Sequence, residues 1–389
     1  MKREAVEERT SLEIIRLCHS TLDSQTLRVE LLKRLQTVLP FDSTFFSTTD
    51  PSTQLFTSLV TDDTPTWAML KFLENEFFQD DFNQFHTLLK NRQSIGVLSE
   101  QTQHQLQRSQ RYRDILEPLA LGDEMRAVFV MNAACWGTLC LHRERGAPEY
   151  TATEAAFLAR LAPHIAEGLR KALLLANTST TTAPDGPGIL ILSEEYSVVT
   201  MNAVAAYWLA ELTEAERGDK QALPHMVKTV VTRLQMIERG TAGPSPVTPK
   251  LSLHTPSGRW LMLYASRLSN PGGHGQIAVL FEAAQPAELA PLLLQAYHLT
   301  KREGEVTQLV LRGRSTKEMA ATMQISLDTV QDHLKAVFEK VNVSSRRELA
   351  GSIFAQQYQP HFQAGAPLDT SGRLTSLDSP SFKDTIALS

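Results

Sequence analysis

Apolar residues recur at helical spacing near the end of the chain, after Ser326. Spacing of about 3.6 residues predicts an amphipathic helix with one buried stripe. The buried stripe is expected to comprise Leu327, Val330, Leu334, Val337, Phe338 and Val341. The opposite face is expected to carry Asp328, Gln331, Asp332, Lys335 and Glu339. The pattern therefore predicts a helix with one apolar face and one polar, mixed-charge face.

A shorter helix is predicted over residues 316–323, immediately before this one. Met319, Ala320 and Met323 form its inner face, and residues 323–326 form a tight turn. Two helices joined by so short a turn have helix-turn-helix geometry, in which the second helix enters the major groove of DNA.

Capping residues mark where the helices of this region begin. In a capping box, a Ser or Thr and a Glu three residues later each satisfy a free backbone amide of the other. Three pairs fit this spacing: Thr300–Glu303, Ser315–Glu318 and Ser345–Glu348. Ser326 can cap a further helix, and Gly313 lies where the first helix should end. Four short helices are therefore predicted.

This region closely resembles the LuxR-type helix-turn-helix domain. The matching residues are Leu299, Thr300, Arg302, Glu303, Glu305, Val306, Gly313, Lys317–Ala320, Ile325, Ser326, Thr329, Val330, His333, Lys340, Ser345, Arg346, Glu348 and Leu349. The resemblance implies an all-α, four-helix DNA-binding domain over residues 299–356. Two residues depart from the family pattern. Gly304 lies inside the first helix, and Gln331 replaces a lysine that usually contacts phosphate.

Two further units precede this domain. Paired helices over residues 11–39, strands over 41–49 and 125–142, and a long helix from Thr151 resemble a GAF domain over residues 10–176. Trp136–Leu139 and Thr153-Glu154 carry that resemblance. Strands on either side of Glu194-Glu195, then helices, then strands at 250–254, 259–268 and 276–282 resemble a PAS domain over residues 188–283, with Asn202 as a partial motif.

The expected fold class is therefore a multidomain α+β chain. It comprises a GAF-like α/β sensor, a PAS-like α+β sensor and an all-α helix-turn-helix domain. Residues 177–187, rich in Thr, Pro and Gly, form a linker, and residues 284–298 form a connector helix. Residues 359–389 lack a pattern and are expected to be a disordered tail. Residues 99–111 are polar enough to form a mobile loop or an exposed helix.

Charge and composition narrow the class of protein. The chain of 389 residues has a formal net charge of -5, whereas residues 299–354 contain nine positive and seven negative side chains. A slightly basic domain in an acidic protein is consistent with a modest DNA-binding surface that acts as a homodimer. The three cysteines have no metal-ligand spacing, so neither a metal nor a cofactor is expected. With no signal peptide and no membrane-spanning segment, a cytoplasmic protein is predicted.

The candidate DNA-binding residues divide by the chemistry of their side chains. Gln331, Asp332 and Lys335 are predicted to read base edges, since Gln pairs with adenine, Asp accepts from cytosine and Lys donates to guanine. Phosphate contacts are predicted for Lys317, Thr329, Arg346 and Arg347, and Ser326 completes the set. Arg346 could instead form an ion pair with Glu303 or Glu305, and His333 is expected to pack beside the core.

Two functional hypotheses remain open. The first is a transcription regulator that binds double-stranded DNA as a dimer under the control of its N-terminal sensors and a small-molecule effector. The alternative is a ligand-binding sensor or protein-interaction module with weak or no DNA readout. An enzyme is not expected, because no catalytic constellation is visible. Aromatic residues that could line an effector pocket, or simply fill a core, are Trp67, Phe77, Phe78, Phe82 and Trp136.

Overall fold

The computed structural model defines the architecture of most of the chain. It describes residues 2–51, 53–61, 65–174, 184, 186–216, 223–240, 249–255, 257, 259–268, 275–284, 296–297 and 299–349. The predicted tail at 359–389, most of the linker at 177–187 and most of the connector at 284–298 lie outside these residues. Two compact units are distinguished, one containing two β-sheets and the other containing the C-terminal helices.

The first sheet is five-stranded and antiparallel, with strand order β2-β1-β5-β4-β3. Its strands are β1 (Ser43–Thr49), β2 (Phe56–Thr61), β3 (Ile95–Val97), β4 (Leu121–Met131) and β5 (Ala134–Glu144). The predicted hairpin of residues 125–142 is confirmed as β4 and β5, with Asn132 in its turn at a φ of 52°. Strands β2 and β3 were not predicted.

Helices cover both faces of this sheet. They are α1 (Lys2–Cys18), α2 (Ser24–Leu35), α3 (Thr66–Phe78), α4 (Phe85–Lys90), the short α5 (Leu98–Gln101) and the long α6 (Ala152–Leu174). On one face, Met125, Ala127 and Phe129 pack against α1, α2 and α6. On the other face, Val128 packs with residues of α3 and α4. The sheet is therefore the middle layer of three.

The close packing of α1 on α6 depends on Gly168. A Cβ atom at this position would lie 2.9 Å from the Cα atom of Cys18. Any larger residue would therefore push the two helices apart. The Cys18 thiol is buried in this contact, which raises its pKa to about 12 and keeps it protonated.

A network of buried charges lies on the α3–α4 face of the first sheet. Glu124 accepts hydrogen bonds from Arg111 at 2.6 and 2.9 Å, and lies 3.2 Å from Nε of Arg126. Arg126 also donates to Glu76 at 2.7 Å, and His142 lies 3.1 Å from the other Glu124 oxygen. Burial alone would raise the pKa of Glu124, but the two guanidinium groups outweigh burial and hold it well below its usual range.

The network corrects the expectation for residues 99–111. This segment is not exposed throughout, because Ser99, Ser109 and Arg111 are almost fully buried. Ser99 donates to the Asp123 carboxylate at 2.7 Å, and Ser109 donates to Asp81 at 3.1 Å. The buried polar side chains at its two ends therefore pair with acidic residues elsewhere in the fold, whereas Gln103, His104 and Gln107 between them are exposed.

The second sheet repeats the strand order of the first, as β7-β6-β10-β9-β8. Its strands are β6 (Gly188–Leu192), β7 (Val198–Met201), β8 (Lys250–His254), β9 (Trp260–Leu268) and β10 (Gln276–Ala283). The three strands predicted over 250–282 are confirmed, as is the pair on either side of Glu194-Glu195. Asn202 accepts from the backbone of Ile189 and Ala205, and so joins β7 to the following helix.

Two helices accompany this sheet: α7 (Ala203–Glu216) and α8 (His225–Glu238). Helix α8 packs on β9 of its own sheet and also on α3 and β2 of the preceding domain. Arg239, which follows α8, lies 4.6 Å above the ring of Phe78 in α3. The two sheet domains therefore share a packed contact through α8.

Candidate nucleic-acid interface

The C-terminal unit consists of short helices that begin where the capping residues predicted. They are α9 (Lys301–Leu311), α10 (Thr316–Met323) and α11 (Leu327–Val341), followed by a helical turn at residues 346–349. Thr300–Glu303 and Ser315–Glu318 both form complete capping boxes. At Ser345–Glu348 only one half forms as predicted, because the Glu348 carboxylate accepts from the Ser344 amide.

Left-handed residues end each of the three helices, and two of them, Gly313 and Gln324, shape the turns on either side of α10. Gly313 has a φ of 73° and ends α9, where the amide of Arg314 donates to the carbonyl of Leu309 at 3.0 Å. Gln324 has a φ of 56° and ends α10, three residues before α11 begins. Ser326 then caps α11 by accepting from the Thr329 amide at 3.1 Å. The predicted helix-turn-helix geometry is therefore present.

The buried stripe of α11 agrees with prediction except at its first residue. Val330, Leu334, Val337 and Val341 are buried, and Phe338 is half-buried. Leu327 was expected in this stripe but is 48% exposed. The spacing of apolar residues identifies a helix face, but it does not show where along the helix its packing partners end.

The opposite face of α11 presents the predicted base-reading side chains to solvent. Gln331, Asp332 and Lys335 are all exposed, and so is Asp328 in the first turn. Lys335 forms no ion pair with any other residue that the structure describes. Because Gln331 and Lys335 are four residues apart, they lie on one ridge of the helix, and Asp332 lies beside them.

The predicted phosphate-binding residues differ in their exposure and in the hydrogen bonds that they form. Lys317 and Arg347 are exposed, whereas the hydroxyl of half-buried Thr329 lies 2.8 Å from Ser326 Oγ, within the cap of α11. Arg346 is half-buried and donates to the Thr316 hydroxyl at 2.7 Å and to the Arg314 carbonyl at 3.4 Å. Arg346 therefore fixes the start of α10 through Thr316, the residue before Lys317.

The alternative partners considered for Arg346, Glu303 and Glu305, are both paired with other residues. Glu303 accepts from Lys340 at 2.6 Å, and Glu305 accepts from Arg302 at 2.8 Å. Partial burial would raise the pKa of Glu303, but hydrogen bonds from Lys340 and Thr300 outweigh it and lower the pKa. This bond ties α9 to the end of α11 and leaves the first half of α11 available to a ligand.

The aromatic candidates for an effector pocket do not come together. Trp136 is buried on the α6 side of the first sheet, Phe77 packs on the opposite face, and Phe82 belongs to a third cluster. Trp67 is 42% exposed. A cleft of about 660 Å³ lies elsewhere, between α1 and the start of α6, and its walls include Arg143 and Glu154. Trp136, Phe77 and Phe82 are better explained as core residues, and Trp67 as a surface residue.

Glu124, Cys140 and His142 place their donor atoms within 4.8 Å of one another, a distance that a metal ion could bridge. The Glu124 carboxylate, however, is already paired with two guanidinium groups, whose positive charges oppose a further cation. Burial raises the pKa of the Cys140 thiol, which disfavours the thiolate that a metal would need. This arrangement fits an ion-pair network better than a metal site.

The geometry of α10 and α11 defines a helix-turn-helix protein. Similarity to known proteins then identifies which family of helix-turn-helix proteins this is. The profile described as "Bacterial regulatory proteins, luxR family" matches residues 297–352. The spore germination protein GerE of Bacillus subtilis is 40% identical over 50 residues, which cover 13% of this chain and 68% of GerE. The chain belongs to this LuxR family of bacterial regulatory proteins.

Other known proteins match over a smaller share of their own length or with lower sequence identity. The transcriptional regulatory protein DesR of Bacillus subtilis is 38% identical over 63 residues, 16% of this chain and 32% of DesR. The chain thus spans about a third of that relative's length. A solved GAF domain from an Acinetobacter phosphoenolpyruvate-protein phosphotransferase is 10% identical, with a TM-score of 0.31 over 42% of this chain and 92% of that domain.

The expected fold class is confirmed: two mixed helix-and-sheet domains, each with one antiparallel sheet, precede the all-helical C-terminal unit. None of the described helices is both long enough and apolar enough to cross a bilayer.

Proposed function

We propose that this protein is a transcription regulator that binds double-stranded DNA in a sequence-specific manner through α11. The observation that carries the proposal is the exposed face of α11. It presents Gln331, Asp332 and Lys335 directly after a capped turn, in a chain of the LuxR family. These three side chain types can discriminate adenine, cytosine and guanine in the major groove. Lys317, Arg346 and Arg347 supply contacts to phosphate.

The modest charge of the C-terminal unit supports the proposal that the protein binds DNA as a homodimer. Three of the nine positive side chains of one copy of this unit, Arg302, Arg314 and Lys340, are each engaged by a glutamate, which leaves at most six for DNA. Two copies double the number of phosphate contacts and place two recognition helices on half-sites roughly one turn of DNA apart. The operator is therefore expected to have two-fold symmetry.

The sheet domains are proposed to act as sensors, over residues 10–176 and 188–283. Because α8 packs against both of them, a change in one domain has a direct route to the other. A small-molecule effector that favours one arrangement would shift the spacing of the two recognition helices through the connector at residues 284–298. A regulator of this kind is proposed to act in the cytoplasm, where its operator would lie.

Selection of bound sequences from random duplex DNA tests this function. The full-length protein should enrich a two-fold motif, and Lys335→Ala should lose preference at one position in each half-site. Loss of one good base contact corresponds to roughly 1–3 kcal/mol. Lys90→Ala, a change of an exposed lysine on α4, is the matched control and should leave the motif unchanged. Absence of any enriched motif would contradict the proposal.

The alternative, a sensor or interaction protein with weak DNA readout, is favoured by one observation. Asp328 and Asp332 are both exposed on the proposed recognition face, where they repel phosphate. In that case the full-length protein would bind all duplexes weakly and equally, and Asp332→Asn would raise affinity for every sequence alike. A DNA reader predicts instead that Asp332→Asn changes preference mainly at one base pair.

A further inference from the structure

Leu327 is the large apolar side chain that stands exposed in the described part of the C-terminal unit, residues 299–349. A single exposed leucine is ordinary on a protein surface. Leu327, however, occupies the first position of α11, directly after its Ser326 cap. Exposure at this point leaves the side chain free to contact whatever the start of α11 approaches.

The core of the unit is complete without Leu327. Val330 and Val337 are fully buried, and Leu334 is nearly so. The residue before the cap, half-buried Ile325, and the fourth residue of the helix, Val330, occupy the positions that normally pack together at a helix start. The exposed Leu327 side chain is therefore not needed to fix the angle at which the chain enters α11.

The position of Leu327 aligns it with the proposed base-reading side chains. Leu327, Gln331 and Lys335 follow one another at intervals of four residues, so they form one ridge of the helix with Cβ atoms about 6 Å apart. All three are exposed. A ligand that contacts Gln331 and Lys335 along this ridge therefore also contacts Leu327, at the N-terminal end of the ridge.

The major groove offers one apolar group with which such a side chain can pack, the C5-methyl group of thymine. Base pairs rise about 3.4 Å along each strand, so a side chain one helical turn from Gln331 meets a base pair within about two steps of the one that Gln331 reads. Charged oxygens, whether of a carboxylate or of a phosphate group, do not favour contact with an alkyl side chain, so the phosphates of DNA are not the expected partner of Leu327. We propose that Leu327 is a specificity residue that reads a thymine methyl group in each half-site.

This inference rests on the proposed function and adds one base to the operator. Its test uses the operator obtained by selection and replaces each thymine of a half-site in turn with deoxyuridine, which lacks only the methyl group. Affinity of the full-length protein should fall about fourfold at one thymine, the effect expected for one buried methyl group. Leu327→Ala removes the contact from both half-sites, so it should bind the unmodified operator about sixteenfold more weakly and be insensitive to that replacement.

Two further variants keep the result interpretable. Leu327→Met retains an apolar side chain and should retain the sensitivity to deoxyuridine. Leu12→Ala, which changes another exposed leucine on α1, should behave as the wild-type protein. The inference is overturned if wild-type and Leu327→Ala proteins lose the same affinity at every deoxyuridine, even though both select a motif. If the wild-type protein selects no motif, the proposed function itself has failed, and the inference falls with it.

Discussion

The two sheets share a strand order but are buried in different ways. In the first sheet, nine consecutive residues of β4 and ten of β5 are buried. In the second sheet, β6 and β10 alternate between buried and more accessible residues, and all four residues of β7 are exposed. Alternation is typical of a sheet with one packed face, and unbroken burial is typical of a sheet covered on both. The same strand order therefore forms an inner layer, covered on both faces, in the first sheet and an outer layer, packed on one face, in the second.

The difference explains where the buried charges lie. A strand that is covered on both faces has no side that can hold charged residues in water. Glu124 and Arg126 of β4 therefore need charged partners inside the protein, which Arg111 and Glu76 supply. Buried charges of this kind are tolerated only as a complete set of pairs. The first sheet should consequently be sensitive to single polar substitutions, and the exposed edge of the second sheet should not.

The largest effect is expected for Glu124→Gln, which keeps the shape of the side chain but removes the charge shared by two arginines. Leaving these guanidinium groups uncompensated should lower the free energy of unfolding by about 3–5 kcal/mol. Denaturant titration of the full-length protein would measure this. As a control, Glu117→Gln breaks the exposed pair with Arg145, at 3.7 Å, and should cost less than about 0.5 kcal/mol. Equal losses of unfolding free energy in the two variants would contradict the claim that the buried network contributes more to stability than an exposed ion pair.

The pH dependence of stability provides the next largest effect. The pKa of Glu124 in the folded protein lies well below its ordinary value of 4.5, mainly because Arg111 and Arg126 outweigh the effect of burial. A depressed folded-state pKa stabilises the protein fully above pH 4.5, and this stabilisation is lost as the pH falls through the folded-state value. Unfolding measured across this acidic range should therefore show a steeper loss of stability for the wild-type protein than for Glu124→Gln. If the stability of the two proteins fell equally with pH, the lowered pKa of Glu124 would be contradicted.

A matched pair of smaller substitutions compares the two sheets directly. Val128 in β4 is 1% exposed, whereas Val199 in β7 is 51% exposed. Val128→Thr places a hydroxyl group in an apolar cluster and should cost about 1–3 kcal/mol. Val199→Thr keeps a β-branched side chain at an exposed edge and should change stability by less than about 0.5 kcal/mol. If Val199→Thr proved as costly, β7 would have to be covered by another surface in solution.

Helix starts in the C-terminal unit were predictable because their signals are local. Thr300, Ser315 and Ser326 each satisfy amides no more than three residues away, so one short stretch of sequence contains both partners. The polar face of α11 was predictable for the same reason, since helical spacing alone places Gln331 beside Lys335. The hairpin of β4 and β5 and the strands β8 to β10 also followed from local alternation and turns.

Features that depend on distant partners were not predictable. Arg111 appeared to belong to a solvent-exposed segment, but its partner Glu124 is on another strand. A glutamate partner was one of two alternatives for Arg346, yet Lys340 occupies Glu303 and the guanidinium group donates to Thr316 instead. The exposure of Leu327 likewise depends on how far α9 and α10 extend along α11. In each case the outcome was decided by tertiary packing rather than by spacing in the sequence.

The salt dependence of DNA binding tests the central claim most directly. If Lys317, Arg346 and Arg347 of two protomers each contact a phosphate, the logarithm of the affinity should fall with the logarithm of salt concentration at a slope of roughly −5. Arg347→Ala should reduce the magnitude of that slope by about 2, since it removes one contact from each protomer, while the selected motif stays the same. A slope near zero, or one that Arg347→Ala leaves unchanged, would contradict the claim that this unit binds DNA through the surface around α11.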